Sequence, residues 1–122
     1  MHIVGDIYDR GQRPDSIIDM LRQHHSVDIQ WGNHDILWMG AMCGNEACIA
    51  TVVRNCLSYN NTAVLEKGYA ISLRSLSSLA SKLYPNKTLL IAMQRTISII
   101  LFKLEGQLIK RNPDFQWVVV FY

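Results

Sequence analysis

The first part of the chain carries two short polar motifs, GDIYDRG at residues 5–11 and GNHD at residues 32–35. Their side chains suit hard divalent metal ions, which prefer carboxylate, amide and imidazole ligands, and a two-metal site needs one carboxylate that bridges both ions. Asp6 is a candidate for the bridging carboxylate, because the preceding Gly5 lets the backbone pack closely there. Asn33 is a candidate ligand of one ion through its side-chain oxygen.

The same two motifs hold residues suited to proton transfer and to phosphate binding. His34, expected at the apex of a loop, is a candidate general acid for a leaving-group oxygen. Asp9 is placed to hold that imidazole by a hydrogen bond, and the planar guanidinium of Arg10 matches phosphate oxygens. Each motif alone is also typical of a surface turn, in which Gly, Asn and Asp are common. A catalytic interpretation therefore requires that the two motifs meet in the fold.

The elements around the motifs are predicted to bring them together. A β-branched run at residues 2–4 indicates a buried strand, a helix is predicted over about 14–24, and residues 27–31 have the pattern of a second strand. This order predicts a βαβ unit with parallel strands and a right-handed crossover. Both motifs then leave the carboxyl ends of neighbouring strands, which is the edge where open α/β sheets bind ligands.

From residue 36 onward the sequence pattern is mainly helical. The predicted elements are helices at 46–57, 76–83 and 88–110, a turn at 60–61 and a loop or extended segment at 64–73. The last helix is amphipathic, because its apolar residues recur every three or four positions, and its charged residues exclude a membrane-spanning helix. Trp31 and Trp38 are expected to pack in a core rather than against a ligand.

The composition is typical of a folded domain, with 49% hydrophobic and 18% charged residues in a chain of 122 residues. The formal net charge is only +2, which gives no reason to expect a nucleic acid or a membrane as partner. The chain has three cysteines, Cys43, Cys48 and Cys56, and no CxxC pair. Since no signal peptide is recognisable either, we expect reduced thiols and a cytoplasmic location.

The succession of GDIYDRG and GNHD resembles the calcineurin-like metallophosphatase superfamily. Longer stretches are similar to the class 3 fructose-1,6-bisphosphatase family of bacteria: HIVGDIYDRG, HHSVDIQWGNHDILWMGA, ACIATVVRNC, AMQRTISII and FKLEGQLIKRNPDF. This similarity extends over about residues 2–115. It implies hydrolysis of fructose 1,6-bisphosphate to fructose 6-phosphate in gluconeogenesis, with two divalent ions, usually manganese, as cofactors.

The resemblance also implies a role for each candidate residue. Asp6 corresponds to the bridging metal ligand and Asn33 to a ligand of one metal. His34 and Asp9 correspond to the acid dyad that protonates the leaving sugar oxygen. Arg10 corresponds to the residue that holds the phosphate.

The resemblance implies an α/β fold that is incomplete in this chain. Residues 1–39 form a partial calcineurin-like metallophosphatase core with one βαβ unit, and residues 40–115 form a helical region of the same enzyme. The apolar tail at 116–122 does not resemble the family. Family members are several times longer and take further metal ligands from strands before and after these motifs, whereas this chain has no histidine after His34.

We therefore expect a fragment that is inactive as an isolated chain. Its site is to be completed by the missing parts of the same enzyme or by a homo-oligomer. Two alternatives remain open at the level of sequence. One is another phosphatase of the same superfamily, acting on a phosphoprotein or a dinucleotide. The other is a non-catalytic remnant that acts only as an interaction fragment.

Overall fold

The computed structural model describes residues 1–114 of the chain. Its elements, in chain order, are β1 (His2–Ile3), α1 (Pro14–Arg22), β2 (Asp28–Ile29), α2 (Asn33–Met42), α3 (Glu46–Ser58), a π-helix (Val64–Gly68), α4 (Arg74–Leu83) and α5 (Leu89–Arg111). The expected order of strand, helix, strand and then a mainly helical region is confirmed. The apolar tail and Phe115 lie outside the described residues.

The two strands form a parallel sheet, as predicted, in which His2 pairs with Asp28 and Ile3 with Ile29. The pairing extends by one hydrogen bond at each end: the Asp28 N–H donates to the Met1 carbonyl at 2.9 Å, and the Gln30 N–H donates to the Ile3 carbonyl at 2.9 Å. Both strands are shorter than expected. The right-handed crossover stays a prediction.

The expectation that the first strand is buried is wrong for the described residues: His2 is exposed and Ile3 is only partly buried. Val4, which directly follows β1, is 78% exposed, and Trp31 is 42% exposed instead of packing in a core. The reason is that the apolar core is built from the helices, and a sheet with two residues in each strand offers little surface to it.

The core lies among α2, α3, α4 and α5, because α5 packs on both α3 and α4, and α2 packs on α3. Its buried residues are Ala50, Val52, Cys56, Leu57, Leu65, Leu73, Ala80, Ala92, Met93, Ile97 and Leu101. The α5 members recur every four positions or so, which confirms the predicted amphipathic helix. No helix within residues 1–114 combines the length and the apolar character needed to cross a membrane.

The segment at 64–73, expected to be a loop or extended, contains the π-helix Val64–Gly68. Val64 and Leu65 are buried, and Leu65 joins the core. Two adjacent apolar residues give no helical periodicity, so the sequence pattern could not reveal this turn. The π-helix packs against α1 and is followed by Ala70 in the left-handed conformation, with φ of 54°. This short element therefore connects the βαβ unit to the helical region.

Candidate functional site

The two motifs meet through Asp35, whose side chain is completely buried in the first turn of α2. Its Oδ2 accepts the backbone N–H of Asp6 at 2.6 Å and that of Gly32 at 2.9 Å, and its Oδ1 accepts the backbone N–H of Tyr8 at 3.0 Å. One carboxylate thus holds the loop after β1 and the loop after β2 in a single arrangement. The meeting of the motifs that the sequence analysis required is present in the structure.

No role was predicted for Asp35, although the sequence carries a signal for one. Gly32 is the N-cap of α2, and Asp35 stands three positions later, where an acidic side chain commonly reaches back to the N-cap N–H. The bond from the Gly32 N–H could have been predicted from this spacing. The two bonds to the distant loop could not, because nothing local specifies them.

Two glycines allow the loops to approach each other this closely. Gly5 has φ of +112°, and a Cβ atom on it would collide with the Gln30 carbonyl oxygen and lie 2.8 Å from the Gly32 nitrogen. A Cβ atom on Gly32 would collide with the Asp6 carboxylate. Asp6 itself is left-handed, with φ of 54°, a conformation that Asp tolerates better than most residues. The Asp6 carboxylate therefore lies directly beside the backbone of Gly32, the residue before Asn33.

Asp9 and His34 are brought into contact, with 3.5 Å between Asp9 Oδ1 and His34 Nε2. This distance exceeds the usual range of a hydrogen bond, so the predicted bond is present only as a close contact between the two side chains. The expectation that His34 lies at a loop apex is wrong: α2 begins at Asn33, and His34 is therefore in its first turn. The helix fixes the position of the imidazole more firmly than a loop would.

Arg10 lies near the same carboxylate oxygen, with 3.9 Å between its Nε and Asp9 Oδ1. Its guanidinium stands over the ring of Tyr59, with 4.2 Å between Cζ and the ring centroid, and Nη2 donates to the Tyr59 hydroxyl at 3.2 Å. One oxygen of the Asp9 carboxylate is therefore close to both an imidazole and a guanidinium, the groups that suit a leaving group and a phosphate ester.

Three aromatic rings support the loop that carries these residues. The rings of Tyr8 and Trp38 are stacked at 4.7 Å, and the Tyr8 and Tyr69 hydroxyls are 2.6 Å apart. Burial, followed by the hydrogen bond with Tyr8, raises the pKa of Tyr69, so the Tyr69 hydroxyl stays protonated in this contact. Trp38 also packs against the core, which confirms the interpretation of this tryptophan as a packing residue.

The described residues alone do not fit a two-metal centre. Asp6 and Asn33 are both exposed and offer one carboxylate and one amide, whereas divalent ions take ~6 oxygen ligands each. Within residues 1–114 there is no cluster of three or more His, Cys, Asp or Glu side chains arranged to hold a metal ion. The buried Asp35 carboxylate does not add to the set, because both of its oxygens accept backbone N–H groups.

The space beside Asp9 and His34 is small. A cavity of about 10 Å³ separates these two residues from Asn55 and Cys56 of α3, which is room for about one water molecule. Any ligand larger than a water molecule would therefore have to bind outside this cavity.

Comparison with known proteins defines the class. The family model described as Firmicute fructose-1,6-bisphosphatase matches residues 1–119, so the chain belongs to this family. This finding confirms the resemblance drawn from the motifs. No solved structure matches the chain.

Particular relatives are named fructose-1,6-bisphosphatase class 3. The protein of Clostridium botulinum (strain Loch Maree / Type A3) is 50% identical over 135 residues, covering 95% of this chain and 20% of the relative. The protein of Clostridium tetani (strain Massachusetts / E88) is 49% identical with the same coverage, and a Clostridium beijerinckii protein is 49% identical over 94% of this chain. The chain spans about a fifth of the length of these relatives. Since the matched region exceeds 122 residues, the relatives also contain residues within it that this chain lacks.

Proposed function

We propose that this chain forms the middle of the active site of a class 3 fructose-1,6-bisphosphatase, which hydrolyses fructose 1,6-bisphosphate to fructose 6-phosphate and phosphate in gluconeogenesis. The observation that supports this best is the set of three hydrogen bonds at Asp35, which join the GDIYDRG loop to the GNHD loop. Two independent surface turns would not need a shared buried carboxyl group. The names of the relatives favour this substrate over a phosphoprotein or a dinucleotide.

In this proposal His34, Asp9 and Arg10 each have a separate role in hydrolysis. A water molecule adds to phosphorus as the bond from phosphorus to the sugar oxygen breaks, and His34 gives its proton to the departing oxygen. Asp9, 3.5 Å away, orients the imidazole and stabilises it while it carries the proton. Arg10 binds the oxygens of the transferred phosphoryl group in the ground and transition states.

Metal binding is proposed for Asp6 and Asn33 as part of a larger ligand set. The remaining ligands would come from other parts of a full-length protein, either from the same chain or from a second copy. Bound manganese ions would supply positive charge at the phosphate and activate water. We also retain, as parts of the proposal, a calcineurin-like core at 1–39, a helical region at 40–115, a cytoplasmic location, and no role for nucleic acid or membrane.

The test uses the Clostridium botulinum relative as a recipient. Residues 1–39 of this chain replace the matching segment of the recipient, and phosphate release from fructose 1,6-bisphosphate is measured with manganese. We expect activity of the same order as the unmodified recipient. His34→Ala in the graft should lower kcat by about 10²–10⁴-fold, the usual contribution of a general acid. Asp9→Asn should be milder, and Arg10→Ala should mainly raise KM.

A second graft, of residues 1–114, separates the site from the rest of the chain. If the shorter graft is active and the longer one is not, the site is competent and the residues missing from the matched region are needed for activity. An inactive shorter graft, or a His34→Ala variant with normal kcat, would contradict the proposed function.

A further inference from the structure

The turn after α3 contacts the first motif across a long stretch of sequence. Tyr59 is the C-cap of α3, and Asn60 follows in the left-handed conformation, with φ of 52°. Asn61 Nδ2 donates to the Gly11 carbonyl at 3.2 Å, while Tyr59 contacts Arg10. Two successive residues of the motif loop are therefore held by a turn some fifty positions further along the chain.

Two interactions hold the Arg10 guanidinium at this turn. Its Cζ lies 4.2 Å from the centroid of the Tyr59 ring, a distance at which cation–π attraction is effective. Its Nη2 donates to the hydroxyl of the same ring at 3.2 Å. Together they fix both the position and the plane of the guanidinium.

Without Tyr59, Arg10 has an alternative partner close by. Asp9 Oδ1 is 3.9 Å from Arg10 Nε and 3.5 Å from His34 Nε2. A guanidinium that is free to rotate can close this gap and bind both carboxylate oxygens in a fork, which is a favoured geometry for arginine and carboxylate. In that pair the Asp9 carboxylate would no longer be available to His34. The Arg10 N–H groups that a phosphate needs would be occupied by Asp9.

We propose that Tyr59 is the positioning residue of Arg10. It holds the guanidinium so that the N–H groups not used by Tyr59 are available to a phosphate, and it keeps Asp9 available to His34. This inference rests on the proposed function and adds to it a residue outside both motifs.

The first test is nuclear magnetic resonance of the full 122-residue chain labelled with ¹⁵N. The Nε–H signal of Arg10 should show an upfield ring-current shift, because the group lies over the Tyr59 ring. Tyr59→Leu should abolish the shift, and Tyr59→Phe should retain most of it. Tyr84→Leu is the matched control: Arg95 lies over that ring at 5.9 Å, away from the motifs, so the Arg10 signal should not change. An Arg10 signal that is the same in Tyr59→Leu would overturn the proposal.

The second test titrates inorganic phosphate into the same samples. Tyr59→Leu should weaken phosphate binding at Arg10 about threefold, the size expected for loss of an exposed cation–π contact, and Tyr59→Phe should nearly restore it. In an Arg10→Gln background, Tyr59→Leu should have no additional effect. Equal phosphate affinity with and without Tyr59, or an additional loss in the Arg10→Gln background, would show that Tyr59 is only structural.

These tests do not depend on turnover. If the grafts lack bisphosphatase activity while the Arg10 signal and phosphate affinity respond as expected, the proposed function is wrong and the positioning role of Tyr59 stands. If the grafts are active and the Arg10 signal does not respond, the proposed function stands and the positioning role of Tyr59 is wrong.

Discussion

Asp6 and Asp35 are twenty-nine residues apart in the chain and are joined by a hydrogen bond of 2.6 Å from the Asp6 backbone N–H to the Asp35 carboxylate. The bond holds Asp6 in a left-handed conformation, with φ of 54°. The same carboxylate also accepts the N–H groups of Tyr8 and Gly32. A completely buried carboxyl group thereby accepts three backbone N–H groups, and the order of the two loops depends on these bonds.

Asp35→Asn should loosen both motif loops. An amide has a single acceptor oxygen, so at least one of the three N–H groups loses its partner, at a cost of about 1–3 kcal/mol. Hydrogen exchange at Asp6, Tyr8 or Gly32 should accelerate by about tenfold or more. The control is Asp28→Asn, since that side chain is 73% exposed and pairs only at the surface with His2. Unchanged exchange in Asp35→Asn would show that the three bonds are not needed to hold the loops.

Gly32→Ala should displace the Asp6 carboxylate. The added methyl group would collide with it, whereas Gly11→Ala adds a methyl group with no atom within 4 Å. We expect Gly32→Ala to lower the free energy of unfolding by about 2 kcal/mol more than Gly11→Ala does. Urea unfolding of the two variants measures the difference. Equal midpoints would mean that the two loops are not in contact in solution.

The isolated chain should bind manganese weakly. Asp6 and Asn33 offer too few ligands for hydrated divalent ions, which give up their water reluctantly at sparse sites. Titration calorimetry should give an affinity weaker than micromolar, and Asp6→Ala should weaken it further. Two sites of sub-micromolar affinity in the isolated chain would show that its own residues complete the metal centre.

Alkylation should distinguish the three cysteines. Cys43 is exposed and Cys56 is buried, and burial raises the pKa of the Cys56 thiol from 9.0 to about 11. Near pH 8, iodoacetamide should therefore modify Cys43 first, Cys48 more slowly and Cys56 last, because the thiolate is the reactive form. Peptide mass spectrometry gives the order, and early modification of Cys56 would contradict its burial.

The same thiol makes stability depend on pH in a defined direction. Between pH 9.0 and about 11 the folded chain keeps a proton at Cys56 that the unfolded chain releases. The free energy of unfolding should consequently fall as the pH rises through this range. Compared with the parent chain, Cys56→Ala should show a smaller fall.

The isolated chain should be helical by circular dichroism but only marginally stable, with a broad unfolding transition and a tendency to aggregate. Several apolar side chains are exposed, among them Val4 at 78%, Met42 at 77% and Phe102 at 65%. Deleting residues 117–122 should improve solubility, because this removes an apolar, strand-forming segment. Light scattering during thermal unfolding tests both points. A sharp transition of a soluble monomer that the deletion leaves unchanged would show a self-sufficient domain.

The features that could be predicted from sequence are those that follow from the patterns of the individual elements and from their order along the chain. The parallel pairing of the strands and the amphipathic α5 follow from short-range patterns. The contact between Asp9 and His34 followed because both motifs were placed at the same edge of the sheet. The helical position of His34 was missed, although Gly32 and Asp35 have the spacing of a helix start.

The remaining features depend on contacts between distant residues. The sequence around Tyr59 and Tyr69 contains no motif that indicates a role for either residue. Their contacts with Arg10 and Tyr8 arise only when α3 and the π-helix pack beside the motif loop. For Trp31 the sequence predicts burial and the structure shows exposure. Its apolar character suggests a core position, but the core lies among the helices and does not include this residue.

The long connections of the motif loop have a consequence for how the chain folds. Two of the three main helix pairings, α2 on α3 and α4 on α5, join neighbours in sequence, and only α3 and α5 are separated by another helix. Contacts between neighbouring helices form early. Tyr8, Arg10 and Gly11 instead bond with Tyr69, Tyr59 and Asn61 across 61, 49 and 50 residues. Closing loops of this length costs entropy that is recovered only after the distant partners are in place. The helices should therefore assemble first, and the motif loop should be the last part of the described chain to become ordered.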